Sequence, residues 1–369
     1  MTSLRILFAW PGLSGYNGAC WRELQRCPDV KVKCIVATDS VPDGSRSYDI
    51  EKAYGGIDVH FVEKTAPIEK EALRKEILDF APDVAFITGW SVPVNRFIAT
   101  DSAFRGIKKV LQMDMPWKWQ LRKIAARFVL RNYLRNFSAA FVPGGASARY
   151  AHWLGFSGER PVYTGLLATD LARFTEPARP WKNRSFLYVG RYSPEKGVDV
   201  LVEAYRIYCG MVENPWPLDF AGGGVLGKTL FPADEGAVGK GIVRNLGFKQ
   251  PDELAEVYAR HGVLILPSRS ESWGVVLAEA AGCGLPLICT NACGGRFELV
   301  HEKGAEPNGF IAQAGNAQSL AQIMARMHAL DDAQLRTLSE NSRAKSLPYS
   351  ASAWAGRVMR MAKEVRGKK

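Results

Sequence analysis

Four charged residues are placed as if to handle a phosphate-bearing ligand. The stretch Phe186-LYVGR-Tyr192 reads as a buried strand ending at Gly190-Arg191, after which Pro194–Gly197 turns the chain into an amphipathic helix. Arg191 and Lys196 therefore stand on a strand-end loop, where a guanidinium suits bidentate phosphate contact and an ammonium acts as a point charge. A second strand, from Val263, ends at Pro267-Ser268 and gives way to the polar loop Arg269–Ser272 and a helix opening near Trp273–Gly274. The first turn of that helix offers unpaired backbone N–H groups at Gly274, Val275 and Val276, an anion site with no side chain at Gly274 to block approach. Glu271 precedes the helix and Glu279 lies inside it. Eight residues apart, they do not suit a close acid–base dyad; they suit two hydroxyl acceptors flanking a phosphate. The plainer alternative is a solvated loop acid and a surface helix acid. The apolar run around Glu279 argues against it.

The elements that must carry these residues recur along the whole chain. Short apolar runs at Leu4–Trp10, Lys31–Thr38, Ile57–Val62, Val84–Gly89, Lys109–Asp114 and Ala139–Gly144 are followed by a second series at Ser185–Arg191, Leu218–Gly222, Ile242–Phe248, Val263–Ser268, Leu285–Thr290 and Gly309–Gln313. Near-continuous apolarity marks strands buried on both faces, and the helix-like stretches between them predict two doubly wound α/β domains. Phe174–Pro180 interrupts the periodicity between the two series. At 369 residues the chain is long enough for two domains. With 47% apolar and 23% charged residues it has the composition of a globular protein, and no apolar run is long enough for a membrane span. The opening MTSLRILFAWPG reads as a first strand and not as a signal peptide. Seven cysteines without a Cys-x-x-Cys pair fit a reduced, cytoplasmic setting, and five scattered histidines argue against a zinc site.

The pairing of Gly190-Arg191…Glu195-Lys-Gly197 with the later Glu271-x7-Glu279 resembles glycosyltransferase family 4. Leu218-DFAGGG, Val243-RNLGFKQPDELAEVYARHGVLILPSRSESWG and Asn291-ACGGRFELV are similar to that family's intervening segments, so the resemblance covers most of residues 135–330. It implies the GT-B fold, two Rossmann-like domains facing a central cleft. Residues 1–172 would bind the acceptor, 173–350 would bind the nucleotide sugar, and a helix over 351–369 would pack back on the first domain. It also implies a retaining transfer of a sugar from a UDP- or GDP-linked donor to a hydroxyl of a carbohydrate or lipid-linked glycan, as in bacterial polysaccharide or glycolipid assembly. Arg191 and Lys196 would hold the diphosphate, Glu279 the ribose, Glu271 the donor sugar, and the Gly274–Val276 N–H groups the distal phosphate. Phe248 and Lys249 would lie by the base. Gly12 and Gly15, in Pro11-GLSGYN-Gly18, resemble the family's donor-facing glycine loop, and Gly294-Gly295 is expected to make a tight turn. Where many members carry a histidine after the fifth strand, this chain has Asp114, which would position the acceptor or sugar. No metal or other cofactor is expected: there is no Asp-x-Asp motif, and two cations plus a helix terminus already face the leaving group. A sugar-nucleotide epimerase of similar fold and a noncatalytic nucleotide-sugar-binding subunit are the alternatives.

The net charge of +11 is concentrated between residues 101 and 150, where ten Lys/Arg face only Asp101 and Asp114. Lys123, Arg127, Arg131 and Arg135 recur every four residues in a segment whose Ile124, Phe128, Val129 and Leu134 supply an apolar surface; Trp117 and Trp119 precede them. The segment is either a scaffold helix with a solvated basic face or a peripheral contact to anionic lipid on the inner face of the cytoplasmic membrane. Nucleic acid is disfavoured, because the aromatics form no stacking platform and no recognition motif is present. Trp90, after the fourth strand, would line an acceptor cleft or pack in the core.

Overall fold

The computed structural model describes residues 3–12, 15–38, 54–117, 119–174, 176–231, 235–238 and 240–367. The chain forms two compact units: Met1–Thr169 together with Tyr349–Lys369, and Asp170–Pro348. The divisions fall at 169/170 and 348/349, against 172/173 and 350/351 read from the sequence.

The first unit holds a seven-stranded parallel sheet in the order β3-β2-β1-β4-β5-β6-β7. Its strands are β1 (Leu4–Trp10), β2 (Val30–Thr38), β3 (Asp58–Glu63), β4 (Val84–Thr88), β5 (Lys108–Gln112), β6 (Ala139–Val142) and β7 (Val162–Thr164). Alternate residues of each strand face opposite layers, so both faces must be covered. On one face Leu7 and Ala9 join Ile35, Ala85, Ile87 and Leu111, packed against α2 (Lys70–Phe80) and α3 (Pro93–Thr100). On the other, Phe8 stacks on Phe86 at 5.1 Å between ring centroids and meets Trp21 of α1 (Gly15–Gln25) at 5.6 Å. Helices α4 (Leu121–Val129) and α5 (Gly145–Trp153) flank β6 in sequence.

The second unit repeats the plan: β10-β11-β9-β8-β12-β13-β14. Its strands are β8 (Phe186–Arg191), β9 (Leu218–Gly223), β10 (Glu235–Val238), β11 (Gly241–Gly247), β12 (Val263–Leu266), β13 (Leu287–Thr290) and β14 (Gly309–Ala312). All pairs are parallel except β10–β11, a hairpin at the edge. The covering helices are α6 (Val198–Met211), α7 (Pro251–Ala259), α8 (Val275–Cys283), α9 (Ala317–His328) and α10 (Asp332–Ser346). The last helix, α11 (Ala351–Gly367), belongs to the first unit: its Trp354 lies 5.7 Å from Phe8 and donates its indole N–H to the Leu166 carbonyl at 2.8 Å.

In both sheets the strand order reverses direction at one place, between β1 and β4 and between β8 and β12. Loops leaving the carboxyl ends of such neighbouring strands part to opposite faces and open a crevice where ligands bind. Arg191 ends β8, Ser268 follows β12, and Gly12 follows β1.

The basic segment departs from the expected single helix. It breaks at Leu130 into α4 and one turn at Arg131–Leu134. Lys123 is not on a solvent-facing stripe: it is buried, its ammonium donates to the Pro116 carbonyl and sits 5.2 Å from the centre of the Tyr150 ring. Trp90 packs against the core of the first unit.

Candidate functional site

Three loops at the carboxyl ends of β8, β12 and β13 are stitched together by their backbones. The Glu195 carbonyl accepts from the N–H groups of Arg269 (2.9 Å) and Ser270 (3.2 Å). Gly197, at φ +69°, passes so close to the Pro267 carbonyl that a Cβ there would lie 2.3 Å from its oxygen. The β13 loop joins from the other side: Gly294 N–H donates to the Glu271 carbonyl (3.0 Å) and Gly295 N–H to that of Trp273 (2.9 Å). Gly294 and Gly295 lie in a turn, as expected. Neither has a positive φ; a Cβ on Gly294 would lie 1.9 Å from the Ser272 oxygen, so the glycine is there for close approach. Arg269 is held bidentately by Asp199, at 2.7 and 2.6 Å, and also donates to the Pro194 carbonyl. It acts as a pin between the first two loops.

This frame brings Lys196 and Glu271 into contact: the ammonium donates to the carboxylate at 2.5 Å, with both side chains largely shielded from solvent. Arg191 is exposed at the end of β8, with Glu195 3.4 Å away. Beyond Glu271, Gly274 caps α8 in the left-handed region (φ +91°, ψ +70°). The Gly274 carbonyl accepts from Leu277 N–H at 2.9 Å, while the N–H groups of Val275 and Val276, the first two helical residues, have no acceptor one turn earlier within the helix. Partial positive charge accumulates at that end.

Glu279 sits farther along α8, half-buried, and accepts from the Tyr258 hydroxyl of α7 at 2.9 Å. Burial raises its pKa; the Tyr258 hydrogen bond and the charge of Arg173 oppose the shift without cancelling it. The Tyr258 phenol is itself pushed well up by burial and by the adjacent carboxylate. Phe248 and Lys249 follow β11, Phe248 exposed and Lys249 4.0 Å from Glu253. In the first unit, Gly12 follows β1, Gly15 opens α1, and Asp114 lies exposed two residues after β5, its carbonyl accepting from Ser147.

Tyr258, Arg269 with Asp199, and Lys64 were not read from the sequence. A Cβ on Gly12 would lie 3.8 Å from the Lys64 ammonium, which places a cation at the first unit's glycine loop. Position after β3 was the one signal available for Lys64; the partners of Tyr258 and Arg269 become neighbours only through the topology.

Residues 173–345, nearly all of the second unit, match the family model for glycosyl transferases group 1. An uncharacterized glycosyltransferase of Methanocaldococcus jannaschii is 32% identical over 168 residues, 44% of this chain and 43% of that protein. A D-inositol 3-phosphate glycosyltransferase of Jonesia denitrificans is 27% identical over 234 residues, 57% and 53% respectively. The chain thus spans about half the length of these curated relatives. Among solved structures, sucrose-phosphate synthase from Thermosynechococcus elongatus superposes with a TM-score of 0.71 at 16% identity, covering 98% of this chain and 99% of that one. Anabaena Alr3699/HepE, solved with UDP and glucose, gives 0.70 at 19%, covering 98% and 100%. At such identities the likeness speaks for the fold. The chain has the GT-B fold, two Rossmann-like α/β units, and its second unit matches the glycosyl transferases group 1 family.

Proposed function

We propose that this protein is a retaining glycosyltransferase that moves a sugar from a UDP- or GDP-linked donor to a hydroxyl of a carbohydrate or lipid-linked glycan acceptor. The observation that carries the reading is the Lys196–Glu271 pair, held by stitched loops beside the open N-terminus of α8 at the β8/β12 reversal. Arg191 and Lys196 hold the diphosphate, and the Gly274–Val276 N–H groups meet its distal phosphate. Glu279 takes the ribose hydroxyls and Glu271 those of the sugar. Phe248 and Lys249 lie by the base. In the first unit Gly12 and Gly15 border the donor and Asp114 positions the acceptor.

In the reaction the bond from the anomeric carbon to the distal phosphate oxygen breaks, and its electron pair stays on that oxygen. The acceptor oxygen bonds to the same face of the carbon, and its proton passes to the departing phosphate oxygen. The protein's part is to hold the developing negative charge and the reacting groups in place. Two cations and a helix terminus suffice for that, so we expect no metal requirement. The HepE structure, by its title, holds UDP and glucose, which supports a nucleotide-sugar donor here. The O-antigen chain mannosyltransferase B of Escherichia coli, 30% identical over 125 residues, supports a polysaccharide or glycolipid setting. We place the protein in the cytoplasm, peripheral to the membrane, on the strength of exposed apolar residues beside arginines in the first unit.

Incubation with UDP- and GDP-sugars tests the reading. Slow nucleotide release, lost in Lys196→Ala, supports transfer. Conversion of the sugar to an epimer would instead indicate an epimerase, and binding without turnover would indicate a noncatalytic subunit.

A further inference from the structure

A depression in the first unit, with a cavity of about 350 Å³, is lined by Arg127, Arg131, Arg135 and Arg160, with Phe128 and Leu154 among its apolar walls. No carboxylate lines it. Four guanidinium groups around one small cavity repel one another, and the arrangement is favourable when an anion sits among them. Two of the four are fixed in advance. Arg160 donates to the carbonyls of Phe137 (3.0 Å) and Leu134 (2.5 Å) and lies 4.2 Å from the centre of the Phe156 ring. Arg127 donates to the Trp153 carbonyl at 3.1 Å. Arg131 and Arg135 are exposed, with no carboxylate partner among the described residues. Fixed guanidinium forks matched to tetrahedral oxygens are suited to phosphate.

The wall of this cavity continues into an exposed apolar face. Leu121, Phe128 and Val129 share one side of α4 through i, i+7 and i+8 spacing and are 85%, 70% and 79% exposed. Trp119, just before the helix, is 83% exposed. A free phosphate has no use for such a face; an acyl chain attached to a phosphate does.

We infer that this arginine cavity binds the phosphate of an anionic glycerophospholipid, while Trp119, Leu121, Phe128 and Val129 enter the acyl boundary. This rests on the peripheral-membrane reading above and gives it a site: Arg160 takes the place of the buried Lys123, and apolar insertion adds to charge.

Co-sedimentation with vesicles of phosphatidylcholine containing phosphatidylglycerol tests it, with nucleoside diphosphate affinity measured on the same preparations. Each basic residue contributes about 5-fold at an anionic surface, so Arg131→Gln/Arg135→Gln should bind about 25-fold more weakly. Phe128→Asp/Val129→Asp should also lose the vesicles, and Arg105→Gln/Lys303→Gln, with the same charge loss elsewhere, should lose much less. All three should keep nucleoside diphosphate affinity. Equal loss in the control pair, or none in Arg131→Gln/Arg135→Gln, would overturn the cavity while leaving membrane binding in place. Free glycerol phosphate binding as tightly as the vesicles do, with Phe128→Asp/Val129→Asp keeping both, would show that the cavity takes a soluble phosphate, which overturns the lipid assignment. Failure of the wild type to bind would overturn both the cavity and the membrane reading, without touching the nucleotide-release test.

Discussion

Lys196 and Arg191 differ in how far their surroundings commit them. Lys196 is already engaged by Glu271 and shielded, whereas Arg191 is exposed and loosely paired with Glu195. If both stabilise a leaving diphosphate, Arg191→Ala and Lys196→Ala should each slow transfer by about 100-fold or more. Steady-state turnover measures this, and near-normal rates in both variants would remove the diphosphate assignment. The two glutamates separate by ligand and by pH. Glu271→Gln should spare nucleoside diphosphate affinity and weaken the sugar-bearing donor; Glu279→Gln should weaken both. Glu279 has a raised folded-state pKa, so its contribution to stability is present at low pH and is lost as pH rises through that value. Hydroxyl acceptance needs the carboxylate, so ligand binding runs the other way. Wild-type affinity should fall on acidification, above the ordinary carboxylate range, and Glu279→Gln should lack that component. Calorimetric titration of both proteins across mildly acidic pH decides it; parallel curves would mean that Glu279 does not contact the ribose. Arg191, Lys196 and Glu271 were legible because each stands next to a strand end or helix start that its neighbours announce, and Glu279 because it interrupts an apolar helix. The Tyr258–Glu279 and Arg269–Asp199 contacts were not, because 21 and 70 residues of chain separate the partners and only the fold closes the distance.

Among the elements, the strands that sequence reading located are those whose apolar runs are longest. β7 spans three residues, too short for periodicity to register, and β10 is the edge segment Glu-Gly-Ala-Val with a single β-branched side chain. The stripe at Lys123, Arg127, Arg131 and Arg135 shows the opposite error. Four-residue spacing gives one helical face only while the helix lasts: the break at Leu130 separates Arg131 and Arg135 from α4, and within α4 Lys123 is buried, its ammonium donating to the Pro116 carbonyl. The loops after β8, β12 and β13 depend on contact between backbones, a property no residue pattern displays directly. Gly294 is the sharpest case: its missing side chain lets the β13 loop close on Ser272, and backbone carbonyls cannot yield as a flexible side chain does. Gly294→Ala should therefore push apart the loops that carry Glu271 and Gly274. We expect at least about a 10-fold loss of nucleoside diphosphate affinity, an effect of about 1.4 kcal/mol, with the Lys196–Glu271 pair intact in sequence but displaced in space. A variant that binds as tightly as the wild type would show that loop closure does not shape the site.

At the scale of the whole chain, the return of α11 to the first unit makes that unit's stability depend on the last residues of the sequence. Trp354 is 3% exposed, stacks near Phe8 and spends its indole N–H on the Leu166 carbonyl. Tyr163 donates to Glu364 at 2.7 Å, and Arg366 lies 3.4 Å from Asp83, so the helix is held along its length. Removing the indole leaves a cavity beside β1 and an unsatisfied carbonyl, together about 3–5 kcal/mol for a buried aromatic. In a unit of this size that corresponds to a fall of about 10 °C in the melting temperature. Each unit has its own hydrophobic core, so the loss should fall on one of them. If the second unit binds a nucleoside diphosphate as proposed, the ligand raises that unit's transition by mass action and so identifies it in a calorimetric trace. The expected outcome for Trp354→Ala is a downward shift of the transition that the ligand leaves alone, with ligand affinity and the ligand-responsive transition unchanged. If the ligand-responsive transition moved by the same amount, the two cores would be melting as one, and α11 would be stabilising the second unit as well as its own.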